Sequence, residues 1–323
     1  MELNQIIQGD SLEVLKTLPD ESIDCMITSP PYYSLRDYGV EGQIGLEKTY
    51  EEYIKKLIDI FNEAKRVLKK EGTCFVNLGD TYKSLGATRH LGWKDPKSKA
   101  RGLDVLEPSG MPQGKLQEKS LMMIPERFAI AMIDNGWILR NKLVWIKKNA
   151  MPESVQDRWK KAHEYIFFFV KSKKYYFDLD SIRTKHKEVS IKRAEYELGR
   201  NAMGLNPSSM GEKYKKDKSA KYGMPARQVK LNPKGAVPPD FLDINTNCKQ
   251  DETVEHYATY PMDLINPLIK AGCPKGGVVL DMFSGSGTTC VVAKRLSRNY
   301  IGIELNENYI KIAEQRLRQS ILL

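Results

Sequence analysis

The sequence predicts an α/β fold: a mostly parallel, twisted sheet with helices on both faces, interrupted by loop-rich segments. Three observations carry this. Short apolar runs of strand character alternate with amphipathic stretches of helical period along most of the chain. One of the strands, "VVLDMF", passes through a glycine-rich turn directly into a helix. Two long stretches, 83–119 and 184–236, have no period and interrupt the alternation.

The elements follow in order. "LNQIIQGD" reads as a short strand ending at Gly9-Asp10, after which Ser11 can cap a helix through "SLEVLKTLP". "SIDCMITSPPY" is a strand broken by two prolines, each of which fixes its own φ and lacks an N–H. "YEEYIKKLIDIFNEAKRVLKKEG" places Tyr53, Leu57, Ile60, Phe61, Ala64 and Leu68 on one helical face. Glu71-Gly72 is its expected end. "GTCFVNLGD" is a buried strand, and "SLMMIPERFAIAMIDNGW" a helix stopped near Asn135-Gly136. "ILRNKLVWIKK" and "EYIFFFVKSKKYYF" read as strands. Order returns after 236 with the helix "YPMDLINPLIKAG", the strand "GGVVLDMF", the helix after "SGSGTT", the strand "NYIGIEL" and a final helix "NENYIKIAEQRLRQSI".

A chain of 323 residues is long enough for one large domain or two smaller ones. No apolar run approaches the roughly 20 residues that cross a bilayer, and the first residues lack the basic segment and apolar core of a signal peptide. The five cysteines are scattered without a C-x-x-C pair, as small apolar fillers in a reducing compartment, and the four histidines form no metal pattern. The expectation is a cytoplasmic protein with no membrane and no metal.

The net charge is +10, and its placement is informative. Residues 184–250 hold 14 basic and 7 acidic side chains, and residues 83–119 hold 8 and 4. The other 219 residues hold 29 and 30, so all of the excess sits in two Gly-, Pro- and Ser-rich segments. That suits a polyanion-binding cleft built from loops on a near-neutral scaffold. Solvated basic loops are the plainer alternative.

The glycine turn Ser284-Gly285-Ser286-Gly287-Thr288-Thr289 offers free N–H groups at a helix start, and Glu304 ends the next strand 17 residues beyond Gly287. That acid suits two ribose hydroxyls. A dinucleotide fingerprint wants a third glycine at position 290, where Cys290 stands, and Asp281 would repel a pyrophosphate. S-adenosylmethionine, with its sulfonium, ammonium, carboxylate and ribose, fits better. A turn that binds no ligand is the alternative. Ser29-Pro30-Pro31-Tyr32, taken alone, is a rigid turn leaving a buried strand.

Together, "DMFSGSGTT" and "TSPPY" resemble the amino-methyltransferases of DNA, and in particular their β group, where the catalytic motif precedes the cofactor motif. "HYATYP" (His256 to Pro261), "QGDSLEVL" and "HEYIFFFVKSKKYYF" add to the resemblance, which covers most of the chain outside 83–119 and 184–236. It implies a circularly permuted, Rossmann-like S-adenosylmethionine-dependent methyltransferase fold, with strands ordered 3-2-1-4-5 and a loop-rich target-recognition insertion. The parts would be 1–183 (catalytic, with the DNA-facing loop 83–119), 184–236 (target recognition) and 237–323 (cofactor-binding).

The resemblance further implies which residues act. Ser29, Pro30, Pro31 and Tyr32 would be catalytic. The Ser29 hydroxyl and Pro30 carbonyl would hold the exocyclic amine of a base flipped out of duplex DNA, and Tyr32 would stack on its ring. Asp281, Phe283, Gly285, Ser286, Gly287, Thr288 and Glu304, with Asp10, Tyr260 and Pro261, would bind the cofactor. Double-stranded DNA would meet Arg89, Lys94 and Arg101 in the first loop. In the second it would meet Arg193, Arg200, Lys213, Lys215, Lys216, Lys218, Lys221 and Arg227. The serine of the motif favours cytosine N4, in a restriction-modification setting with a companion endonuclease acting on the same site. Adenine N6 is the alternative within the family; RNA or a protein amide as acceptor, or a DNA-binding module without chemistry, are more distant ones.

Overall fold

Strand β1 (Gln5–Gln8) lies parallel beside β8 (Asn299–Glu304), Gln5 facing Ile301 and Gln8 facing Glu304. The first and last strands of the chain are therefore neighbours in the sheet, as a circular permutation requires. The computed structural model describes residues 1–35, 38–83, 116–192, 194, 231–246 and 260–319. Residues Met1–Asp178 with Asp240–Leu323 form one compact unit, and Leu179–Pro239 a second.

Within the first unit the remaining strands are β2 (Ile23–Thr28), β3 (Leu68–Leu78), β4 (Ile138–Ile146), β5 (His163–Val170), β6 (Phe241–Asp243) and β7 (Val278–Asp281). They order as β1-β8-β7-β2-β3-β5-β4-β6. Counted from β7, the first five are 3-2-1-4-5, all parallel. Strand β5 is antiparallel to both β3 and β4, and β6 is parallel to β4.

Two helical layers cover this sheet, and the strands' alternation decides which side chain meets which layer. Helices α1 (Ser11–Thr17), α2 (Tyr50–Val67) and α3 (Ile124–Asp134) pack on one face through Leu15, Leu57, Phe61 and Phe128, against Met26, Cys74, Val76, Phe167 and Phe169. Helices α4 (Met262–Gly272), α5 (Thr288–Arg295) and α6 (Glu307–Gln319) cover the other through Ile265, Ile269, Val292 and Leu317, against Cys25, Ile27, Phe75, Phe168 and Val170. Among the described residues no helix is long and apolar enough to cross a membrane.

Three elements differ from the sequence expectation. Helix α2 stops at Val67 instead of running to Gly72, because Leu68 pairs with Ile23 and the strand starts there. Lys69 then reaches Asp24 at 2.7 Å, and Lys171 donates to the carbonyls of Lys65 and Leu68. Sheet pairing overrides a good helical pattern. Strand β5 ends at Val170, after which the chain bends so that Tyr176 N–H donates to Glu71 O (2.8 Å) and Phe177 stacks on Phe168. Strand β6 has only three residues and no sequence signal of its own; it exists by adding to the edge of β4.

In the second unit, Thr184 bridges Ala236, and Asp180 accepts from both Arg183 and Lys234 at 2.6 Å.

Candidate active site

Strand β7 ends at Asp281, which is fully buried. Its Oδ1 accepts from the Thr28 hydroxyl (2.8 Å) and the Phe283 N–H (3.1 Å). Its Oδ2 accepts from the hydroxyls of Tyr260 (2.7 Å) and Thr289 (2.6 Å). Burial pushes the Asp281 carboxyl above its ordinary range, and these four donors pull against that. One side chain thus ties β2, the Tyr260 segment and the start of α5 to the root of the glycine turn.

The turn itself needs its glycines for two reasons. Gly287 caps α5 at φ 76°, and a Cβ there would lie 2.7 Å from the Cβ of Ala313 on α6. Gly285 has φ 52°, but a Cβ there would meet nothing within 4 Å. Arg316 of α6 clamps the turn from behind, donating to Ser286 O (2.7 Å), Ser286 Oγ (2.8 Å) and Thr288 Oγ1 (3.0 Å). Glu304, at the tip of β8, accepts from the N–H groups of Gly285 (2.7 Å) and Asn306 (2.8 Å). Burial raises its pKa, opposed by those bonds. Asp10, and not the expected Ser11, caps α1, its Oδ1 accepting from Leu12 and Glu13; the Ser11 Oγ instead donates to Met282 O at 2.6 Å.

The Ser-Pro-Pro-Tyr turn leaves β2 at the same end of the sheet. The buried Tyr53 of α2 donates its hydroxyl to Pro31 O (2.8 Å), fixing the turn from below. Two glycines make room for Tyr32. A Cβ on Gly45 (φ 103°) would lie 2.9 Å from Tyr32 O, and one on Gly79 would lie 2.6 Å from the Tyr32 ring. The Tyr32 hydroxyl donates to Glu164 Oε2 at 2.7 Å and lies 3.2 Å from Asn77 Oδ1. Glu164 is also paired with Lys147. Burial, then the Glu164 carboxylate, holds the Tyr32 phenol well above its usual range, while a hydrogen bond with Ser29 acts the other way.

Both turns open into one cleft of 1130 Å³, at the carboxyl ends of the parallel strands. Comparison with known proteins places this arrangement. The DNA methylase family model N6_N4_Mtase matches residues 23–315. The chain belongs to this DNA methylase family. It is a β-group amino-methyltransferase of DNA, with Ser29–Tyr32 ahead of the glycine turn. Among its relatives is the Type II methyltransferase M.Cfr9I of Citrobacter freundii, 39% identical over 320 residues, covering 98% of this chain and 89% of the relative. The Type II methyltransferase M.SmaI of Serratia marcescens is 38% identical over 315 residues, covering 97% and 90%. Among solved structures, PvuII DNA methyltransferase (cytosine-N4-specific) superposes with a TM-score of 0.62 at 20% identity, covering 96% of this chain and 85% of that one. TTHA0409, a putative DNA modification methylase from Thermus thermophilus complexed with S-adenosyl-L-methionine, gives 0.56 at 20% identity, covering 98% and 94%. These two structures share the methylase fold.

In this methylase the cleft is lined by Ser29, Pro30, Pro31, Tyr32, Asp10, Tyr260, Phe283, Gly285, Ser286, Thr288 and Glu304. Three other expected site residues stand behind it. Asp281 is buried beneath the turn, Gly287 packs on α6, and Pro261 caps α4. Sequence reading missed Glu164, Asn77, Tyr53, Gly79 and Arg316. The "HEY" that opens β5 belongs to the family resemblance, but nothing local to it singles out the carboxylate. Arg89, Lys94, Arg101, Arg193, Arg200, Lys213, Lys215, Lys216, Lys218, Lys221, Arg227 and His256 lie outside the described residues. Among the described residues no group of three or more His, Cys, Asp or Glu is placed to hold a metal ion.

Proposed function

We propose that the protein methylates the exocyclic N4 amine of a cytosine extruded from duplex DNA, with S-adenosylmethionine as the methyl donor. The observation that carries this is the single cleft lined both by the glycine turn, with Glu304 and Asp10, and by Ser29–Tyr32. Its 1130 Å³ exceeds the usual range for one small-molecule ligand, about 300–1,000 Å³, and suits a nucleoside-sized cofactor beside a base.

The cofactor suits the donor and acceptor set. Gly285 is left-handed and its Cβ direction is open space, so a ligand can approach the backbone there. Glu304 and Asp10 bring two carboxylates to the cleft, and each Glu304 oxygen keeps a lone pair for a ribose hydroxyl after its backbone bond. When bound, S-adenosylmethionine supplies a methyl group made electrophilic by the adjacent sulfonium.

The chain's own part is to present the amine. An exocyclic amine is a poor nucleophile because its lone pair is delocalised into the ring. Ser29 and the Pro30 carbonyl accept its two hydrogens and draw it toward tetrahedral geometry. The Tyr32 phenol supports this: its single proton goes to Glu164, so it is not spent on the Ser29 oxygen, which stays available to the amine. Tyr32 offers its ring to the extruded base. A serine at position 29 supports cytosine, and the likeness to the cytosine-N4-specific PvuII enzyme points the same way. On charge and composition, residues 83–119 and 184–236 face the duplex, the second reading its sequence, and Leu179–Pro239 is compact in its own right. A cytoplasmic site and a companion endonuclease belong to the same reading.

The test is transfer of radiolabelled methyl from S-adenosylmethionine to a plasmid of known sequence, followed by nucleoside analysis and mapping. The expected product is N4-methylcytosine at one short sequence. Recovery as N6-methyladenine moves the target to adenine; label entering only RNA or protein overturns the proposal.

A further inference from the structure

The connection between β4 and β5 carries an apolar residue that nothing in the fold explains. Trp159 is 93% exposed and Met151 is 78% exposed, yet both line the cleft that holds Ser29 and Tyr32. A large exposed aromatic side chain at the mouth of a functional cleft marks a contact surface.

The backbone that presents them is held in place. Arg158 pairs with Glu153 at 2.8 Å and lies over the Tyr82 ring at 4.1 Å. Lys160 donates to Ala150 O at 3.2 Å, tying the two sides of the connection together, and Lys161 donates to Asp80 O at 3.0 Å, at the exit of β3. The indole is thus displayed on a fixed support, which lowers the ordering cost of binding. Within 147–162, Lys147, Lys148 and Arg158 are paired with Glu164, Asp243 and Glu153, and Asp157 with Lys119, while Lys160 and Lys161, next to the indole in sequence, bond only to backbone carbonyls and keep their positive charge beside it. That charge selects a polyanion over an apolar protein face or a neutral one.

We infer that Trp159 is the wedge that enters the duplex, its indole stacking in the gap left by the extruded base, with Met151 flanking the same step. This rests on the proposed extrusion of the target base. Extrusion leaves two neighbouring bases without a stacking partner, and an indole replaces the lost face. Ser29 and Tyr32 receive the base while Trp159 holds the hole open from the same cleft.

The experiment compares wild type, Trp159→Ala and Trp159→Phe on duplexes containing the mapped site. One duplex is matched, one has the target base mispaired, and one has 2-aminopurine at the target position. On the matched duplex Trp159→Ala should lower kcat/KM by about ten- to a hundred-fold, the worth of one stacked base. Its S-adenosylmethionine affinity and melting temperature should stay at wild-type values. It should also lose most of the 2-aminopurine fluorescence rise. On the mispaired duplex, where unstacking is already cheap, the deficit should shrink several-fold, and Trp159→Phe should retain most activity. Equal rates for wild type and Trp159→Ala on the matched duplex, or an equal deficit on both duplexes, would overturn the wedge. A wild-type protein that methylates no DNA overturns the underlying function instead.

Discussion

The Tyr32 hydroxyl donates to Glu164 Oε2 at 2.7 Å, anchoring the last residue of the Ser-Pro-Pro-Tyr turn to the start of the antiparallel strand β5. The carboxylate is 13% exposed and its partner Lys147 21% exposed, so neither charge is well solvated. Removing one partner of such a pair strands the other. Glu164→Ala is expected to destabilise the fold by about 2 kcal/mol, discounted from the fully buried case, and to lower kcat more than it raises KM. Glu164→Gln keeps an acceptor for the phenol and should recover most of the rate. Urea denaturation and steady-state methyl transfer on the three proteins check this; a Gln variant as slow as the Ala variant contradicts the positioning role.

Ser29 tests the presentation of the amine more directly. Its side chain is half-buried at the cleft and supports no core packing. Ser29→Ala should reduce single-turnover methyl transfer by roughly 10²-fold, the usual loss for one polar group at a reacting centre. Calorimetric affinity for S-adenosylmethionine should not change. An unchanged single-turnover rate removes the serine from the chemistry.

The part of the site carried by backbone was legible in the sequence. Glycines and prolines fix φ and remove side chains, so "SGSG" and "SPP" announce turns wherever they occur. The strand order followed too, once the motif order implied permutation. What sequence could not show was long-range pairing. Glu164 stands 132 residues from Tyr32, and Asp281 stands 253 from Thr28, so no local pattern links them. The end of α2 is hidden from the local sequence for the same reason. Leu68 continues a good amphipathic helix locally, and only its pairing with Ile23 makes it a strand.

Gly285 and Gly287 separate structure from binding within one turn. At Gly287 a methyl group collides with Ala313, 2.7 Å away, on a backbone with φ 76°. Gly287→Ala should cost about 1–2 kcal/mol for the left-handed conformation plus about 1–3 kcal/mol for overpacking. At Gly285 the methyl projects into open space in the cleft, so Gly285→Ala should cost only the first of these. The affinities should rank the other way relative to stability: Gly285→Ala loses S-adenosylmethionine binding out of proportion to its melting temperature. Equal ratios of affinity loss to stability loss in the two variants would show that the open space does not face the ligand.

The cysteines should be chemically silent. Cys25, Cys74, Cys273 and Cys290 are buried and unpaired by disulfides. Burial pushes Cys273 and Cys290 up to about 12, and Cys25 and Cys74 are raised as well. At pH 8 a thiol of pKa 12 is roughly one part in 10⁴ thiolate, the reactive form. In a Cys248→Ser background the native protein should show no fast thiol titration with Ellman's reagent, and four thiols after denaturation. A fast-reacting native thiol would place one of these four outside the core.

Asp281 gives a pH signature with a definite sign. Its carboxyl is held above 3.8 chiefly by burial, despite four hydrogen-bond donors. A carboxyl whose pKa is higher folded than unfolded favours folding while protonated. That contribution is full below about 3.8 and is lost as pH rises through the folded value. Asp281→Asn removes the titration and keeps one acceptor oxygen for Thr28 and Phe283 or for Tyr260 and Thr289. The stability of the variant relative to wild type should therefore increase as pH is raised from 3.8, then level off above the folded pKa. Paired urea denaturation curves across that range measure the difference. A difference that falls with rising pH would mean that the four donors outweigh burial and that the native carboxyl titrates below its ordinary value.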